Sequence, residues 1–347
     1  MKTEKSLSSK VFTAVLSLLI PLVLLFLLDM VWGDVRIPLH KVASVISSHL
    51  RGGSVTDMTD IIVWEIRFPR ALTAVCVGAM LALAGAVFQS LLLNPLADPY
   101  TVGVSSGAAL GAGLSVAFGF GYMLCGYGSV IMSFAFAVLT MVCVFAMARR
   151  GGKVNPERFL LAGIICGSFM WALLAFLLAL GANSGDNTEG KLLFWLLGSF
   201  EGNTDRGAWG NIPLALPVTI AGTLIVWTLS KRLNVYTLGE ENAMTMGVDT
   251  ERLKKTLILI GSLMTAVAVS VSGIIGFVGL VVPHVCRRLF GADHRIIVPA
   301  AALGGAVLAL GADVVSRIVV SIGLIPPGVV TALLGAPFFL SIMNRRG

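Results

Sequence analysis

Asp313 and Arg317 stand four residues apart inside an apolar stretch, the spacing at which a carboxylate and a guanidinium pair on one helix face. Asp29 falls near the outer end of an earlier apolar run, and His284 follows Pro283 in a short one. Ionisable groups at membrane depth are costly and are usually retained for transport, so an ion-coupled carrier would need these residues as its relay. His284 reads better as a packing or capping residue. A phosphate-binding G-x-x-x-x-G-K-[ST] loop is missing: Gly151-Gly152-Lys153 lacks both the earlier glycine and the following hydroxyl. H-E-x-x-H is missing too, and the four histidines and five cysteines form no cluster of metal-ligand spacing. Cys76, Cys125, Cys143, Cys166 and Cys286 lie in or beside apolar segments and read as small core residues. The expectation is a chain that is not an enzyme, binds no cofactor or metal, and hydrolyses no ATP itself.

The elements that carry these residues are membrane helices. The 347 residues are 56% hydrophobic and 12% charged, with a mean hydropathy of +0.92, far from the quarter-charged makeup of soluble domains. Apolar runs near the ~20 residues a crossing needs fall at 11–32, 70–92, 99–119, 122–148, 158–181, 209–230, 255–273, 274–290, 297–322 and 328–344. This predicts an all-α polytopic membrane protein of about ten transmembrane helices. The third, eighth and tenth runs are Gly- or Pro-rich and the least complete. With the N-terminus inside, 17 of the 25 Lys and Arg fall on the cytoplasmic side, which places both termini in the cytoplasm. The net charge of +7 is thus a topology signal, with no nucleic acid implied. One outer stretch breaks the bias: Arg36, Lys41, Arg51, Arg67 and Arg70 lie at 33–70. The run 11–28 follows Lys2, Lys5 and Lys10 but is too long for a signal h-region and lacks a cleavage site, so it is expected to be retained as the first helix.

Between the runs, Asn94-Pro95-Leu96-Ala97-Asp98-Pro99 predicts a rigid, non-helical cytoplasmic hinge, because each proline removes a donor and disfavours helix before it. Arg67-Phe68-Pro69-Arg70 sets two guanidiniums at the mouth of the second span, as snorkelling anchors or as a site for carboxylates. Residues 39–50 form an amphipathic piece suited to the membrane surface. Residues 231–255 are too polar to span, and Gly239 and Gly247 would punctuate two short helices there. Gly103, Gly107 and Gly111, and likewise Gly78, Ala82 and Ala86, form ladders that permit close helix approach, more simply inside one bundle than across a dimer seam.

The succession RFPR (67–70), GAMLALAGAVFQSLLLNPLADPYTVGVSSGAALG (78–111), FWLLGSF (194–200), GFVGLVVPHVCRRLFGADHR (276–295), GADVVSR (311–317) and PPGVVTALLGAPFF (326–339) resembles the permease subunits of bacterial ABC importers for iron-siderophores, haem and cobalamin. The resemblance runs through nearly the whole chain after the first helix. It implies a type II importer permease: one transmembrane domain over 1–347, resident in the cell (inner or cytoplasmic) membrane, with a cytoplasmic coupling segment at about 231–255. It also implies a homodimer with the path between its subunits, two cytoplasmic ATP-binding cassette subunits, and a periplasmic or lipid-anchored binding protein. Asn94 and Leu96 then fall at the cytoplasmic gate, and Arg149 and Arg150 at a second constriction. Leu238, Gly239, Glu240, Ala243, Met246, Gly247 and Val248 fall in the segment that receives the ATPase stroke, and Arg67, Arg70 and Arg317 face acidic residues of the binding protein. The expected cargo is a metal chelate, ferric siderophore first, then haem or cobalamin. The alternative is an ion-coupled secondary transporter.

Overall fold

The computed structural model describes residues 2–33, 35–53, 57–120, 126–151, 153–181, 188–202, 207–318 and 325–343. Helices dominate them. Seven helical stretches among the described residues are long and apolar enough to cross a membrane: Leu7–Val31, Met58–Leu91, Gly128–Ala148, Pro156–Leu180, Gly207–Tyr236, Thr250–Ser272 and His294–Ile318. The first is the crossing part of α1 (Lys2–Val31). It is followed by α2 (Leu39–Leu50), the expected amphipathic surface piece, which buries Val42 and Val45. Its His49 stacks on Trp64 at 4.7 Å, Trp64 stacks on Phe68 at 5.3 Å, and Trp209 donates its indole N–H to the Trp64 carbonyl at 2.7 Å. Aromatic rings of this kind settle at the membrane–water interface.

The second crossing starts earlier than position 70. The chain is helical from α3 (Met58–Asp60) through a π-helical stretch, Ile61–Arg67, into α4 (Phe68–Leu91). Asp57 caps this start through the Met58 N–H, and the charged Asp60, Glu65 and Arg67 mask the segment in a hydropathy reading. α4 is the central post: nearly all of its residues are buried, whereas most of α1 is not. It packs on α9 (Ile212–Tyr236), α11 (Thr250–Ser272), α12 (Val278–Phe290) and α13 (His294–Ile318). A second group, α5 (Val104–Ala117), α6 (Gly128–Ala148) and α7 (Pro156–Gly181), packs on itself and joins the first through α11. α8 (Thr188–Leu196) leans on α5 and α7, and α14 (Pro327–Met343) on α12 and α13.

The three least complete runs correspond to α5, α12 and α14, with 14, 13 and 17 residues. Their starts explain the shortness. Gly103 enters α5 at φ +78°, Phe277 enters α12 at φ +68°, and Pro326 precedes α14. A left-handed residue or a proline cannot continue a helix backwards. The ladders pack within the subunit. A Cβ on Gly78 would strike the Gly305 carbonyl, and one on Gly111 the Met132 carbonyl, so α4 meets α13 and α5 meets α6 backbone to backbone.

Two local expectations are corrected. The segment 231–255 holds one short helix, α10 (Glu240–Thr245), rather than two. Tyr236 still belongs to α9 and Thr250 already to α11, because Asp249 caps the latter through the Arg252 N–H at 2.9 Å. Among the described residues the all-helical pattern also has one exception: β1 (Arg149–Arg150) pairs antiparallel with β2 (Lys153–Val154), placing Arg149 opposite Val154. Cys125 lies outside the described residues.

Candidate functional site

The C-terminal ends of α1 and α13 and the N-terminal end of α4 converge on a charged cluster. Asp313 is fully buried, and Arg70 grips it with Nε at 3.0 Å from each carboxylate oxygen and Nη2 at 2.8 Å from Oδ1. Arg317 reaches Asp313 Oδ2 at 3.2 Å, the pair that the four-residue spacing predicts, and also pairs with Asp29 of α1. Arg70 pairs in addition with Glu201, whose side chain is 63% exposed. Arg67 turns inward to the carbonyls of Met30 and Val35 and so closes the C-terminal end of α1. All three arginines expected at the outer rim are therefore held by internal acceptors. Arg67 and Arg70 are buried, and the solvent-facing member of the cluster is Glu201. Sequence reasoning missed Glu201, although it directly follows the motif 194–200. The carboxylates an ion-coupled carrier would titrate, Asp29 and Asp313, are each matched by arginine, the arrangement of a fixed ion-pair network rather than a proton relay.

At the other end, residues 92–98 leave the helix as expected. Asn94 takes the Leu96 N–H on its own side chain at 2.9 Å, an Asx turn, and its N–H bonds the Gln89 carbonyl at 3.1 Å. Leu93 sits at φ +49°, and Leu96 projects outward, 52% exposed. The far side of the turn is anchored by Tyr100, whose hydroxyl donates to the Ile275 carbonyl at 2.8 Å and accepts the Ile275 N–H at 3.1 Å. Asn94 and Leu96 therefore ride on a braced turn between α4 and α5.

Arg149 and Arg150 lie on the first strand of the hairpin that joins α6 to α7. Nearby, α10 is an isolated turn of helix held between two glycines. Gly239 precedes it at φ +113°, and Gly247 closes it at φ +80°. The Gly247 N–H bonds the Met244 carbonyl and the Val248 N–H the Ala243 carbonyl, both at 3.0 Å, the paired bonds of a Schellman stop. Ala243 and Glu240 tie the helix inward, Ala243 by burial and Glu240 by an ion pair with Lys254. Leu238, Met244 and Met246 point out, 52–64% exposed. Three large apolar side chains thus stand exposed on and beside one short acidic helix.

Beneath these elements Asp293 binds the Arg295 N–H and guanidinium and the Asn234 amide, the last at 2.7 Å. Burial pushes its carboxyl up, but those donors outweigh it and hold it down at about 2. A carboxylate depressed below its ordinary value contributes stability above that value and loses it as pH falls. Asp293→Asn is accordingly expected to melt below wild type at neutral pH, the gap closing between pH of about 4 and about 2. Thermal unfolding in detergent across that range checks this; a gap independent of pH would refute it.

A model of the FecCD transport family matches residues 21–345. The cobalamin import system permease protein BtuC of Halobacterium salinarum is 38% identical over 292 residues, covering 84% of this chain and 76% of that protein. The hemin transport system permease protein HmuU of Yersinia pestis is 37% identical over 287 residues, covering 82% and 84%. A solved inward-facing conformation of a transporter assigned to the metal-chelate ABC type superposes with a TM-score of 0.79 at 30% identity, covering 96% of this chain and 99% of that one. With matches of this length and a bundle of membrane-crossing helices, the chain belongs to the FecCD transport family and is a multi-pass permease subunit of an ABC importer in the cell inner membrane.

Proposed function

We propose that this chain pairs with a second copy to form the translocation path of an ATP-driven importer of a metal chelate. The observation that carries the reading is α10, a six-residue helix flanked by Gly239 and Gly247, with Leu238 before it, Met244 on it and Met246 at its end all exposed. An ATP-binding cassette subunit, one per copy, receives this face through Leu238, Gly239, Glu240, Ala243, Met246, Gly247 and Val248. ATP hydrolysis belongs to that subunit. Each copy crosses the membrane ten times, α5, α12 and α14 included, with both termini in the cytoplasm, and residues 1–347 form one domain among the membrane lipids.

A periplasmic or lipid-anchored binding protein delivers the cargo at the outer cluster. Arg70 is reached there by exchange: an incoming carboxylate replaces the exposed Glu201, while Asp313 keeps the guanidinium in place. Arg317 and Arg67 hold the rim to α1 during that exchange. Asn94 and Leu96 on the braced turn, with Arg149 and Arg150 on the hairpin, form the cytoplasmic closures. Alternating access follows when the ATPase pair closes and moves α10, since a ligand of one state can shift the other only through elements that differ between them. Ferric siderophore is the first cargo in this reading, from the family resemblance; haem and cobalamin follow from the names of the two relatives.

Met246→Asp is expected to cut co-purification of the cognate ATPase subunit by about tenfold or more, the effect of a charge buried in an interface centre. Met58→Asp, equally exposed on the far side, is the control and is expected to leave it unchanged. Retention of the ATPase by Met246→Asp would refute α10 as the docking element.

A further inference from the structure

Lys254 lies at the start of the second turn of α11, is 3% exposed, and ends among three acceptors from three different elements. Its Nζ pairs with Glu240 Oε1 of α10 at 2.7 Å, pairs with Glu251 of α11, and donates to the Val154 carbonyl of β2 at 3.1 Å. The ties are reciprocal. Glu251 Oε2 accepts the Val154 N–H at 3.1 Å, and the Thr250 hydroxyl donates to Glu240 Oε1 at 3.2 Å. Both backbone polar groups of Val154 are thus bound to α11 side chains, and Val154 stands opposite Arg149 in the hairpin. An ammonium has three donors and no acceptor, and here each donor has one target. Such a buried cation cannot follow one partner and leave the others without exposing an unmatched charge.

From this geometry we infer that Lys254 is a positioning residue of transport: it yokes α10 to the hairpin 149–154, so that displacement of α10 moves the joint between α6 and α7. The inference rests on the reading of α10 as the element that meets the ATPase. It makes Lys254 the one side chain bonded to both elements, with the Thr250–Glu240 and Glu251–Val154 bonds beside it, whereas α10 makes no direct bond of its own to β1 or β2 among the interactions described. The cationic head supplies the bond, and the stem only fills space. Lys254→Arg is therefore expected to keep much of the link and Lys254→Met to lose it.

Two measurements separate this inference from the docking reading. The first uses the chain alone in nanodiscs, with spin labels at Met246 and Lys153, both exposed, in a background freed of its native cysteines. The label-to-label distance distribution is expected to be narrow in wild type and in Lys254→Arg, and clearly broader in Lys254→Met and in Glu240→Gln. Glu240→Gln decides the matter if Lys254→Met does not fold, because it leaves Lys254 its Glu251 and Val154 partners. An unchanged distribution in the folded variants would overturn the yoke, whatever the ATPase does. The second uses the full transporter with its cognate ATPase and binding protein, and reads cargo taken up per ATP hydrolysed. That ratio is expected to fall about tenfold or more in the variants with a broadened distance, with recovery in Lys254→Arg. A ratio equal to wild type in such a variant would overturn transmission through Lys254. Failure of the wild-type chain to bind the ATPase at α10 would instead sink the docking reading and leave the distance result standing.

Discussion

Asp313→Asn lowers the stability of the purified permease by about 3–5 kcal/mol, the cost of removing one partner from a buried ion pair. Asp313 is fully buried and takes four hydrogen-bond contacts, three from Arg70 and one from Arg317. An amide of the same shape accepts on one atom only and carries no charge, so two guanidiniums lose their shared counter-ion in a place water does not reach. Glu201→Gln removes a charge from the same arginine but at an exposed position, where an ion pair is worth about 0–1 kcal/mol. The contrast is the test. Cys76, Cys166 and Cys286 are buried and become reactive on unfolding, so a thiol dye reports both melting curves without labelling. Equal curves for Asp313→Asn and Glu201→Gln would show that the cluster is not a structural clamp.

Gly85→Ala is expected to cost about 1–3 kcal/mol, the usual range for overpacking, and to fall at its upper end. A Cβ there would overlap the carbonyl, carbon and Cα of Gly279. The obstructing atoms are backbone, so no rotamer change relieves the clash, and α12 has to move away from α4. Gln89, one turn further along α4, donates to the carbonyls of Gly279 and Leu280 at 3.1 and 3.3 Å, and both bonds stretch with that movement. The same substitution at Gly291, where nothing lies within 4 Å but φ is +89°, tests backbone strain alone. A Gly85→Ala chain as stable as wild type would mean that α4 and α12 do not approach as described.

Local signals carried much of this architecture. The non-helical turn at 94–98 was legible because two prolines act within a few residues, though Pro99 itself opens a short 3-10 helix, and the Asp313–Arg317 pair because four residues make one helical turn. The glycine ladders announced close contact, yet not the partner: nothing in the sequence names Gly305 as the neighbour of Gly78. The Arg70 grip on Asp313 joins residues 243 positions apart, and the Arg70 pair with Glu201 joins residues 131 apart. Such pairings leave no periodic trace. Lys254 was hidden for a different reason. It stands in the run Arg252, Lys254, Lys255, which reads as a cytoplasmic charge cluster, and its burial depends on Glu240 and Val154 arriving from other elements. The hairpin escaped because two residues per strand cannot show alternation. The early start of the second crossing escaped because acidic residues at 60 and 65 look like loop, although the cap at Asp57 draws them into the helix.

The most direct test of the account is uptake by proteoliposomes holding this chain, its cognate ATPase and its binding protein, offered labelled ferric siderophore, haem and cobalamin in turn, beside an ATPase-inactive control. Accumulation of one metal chelate that requires hydrolysis is the expected result and identifies the cargo. Accumulation that persists without hydrolysis and follows an imposed ion gradient would contradict the importer reading and return Asp29 and Asp313 to the role of a relay.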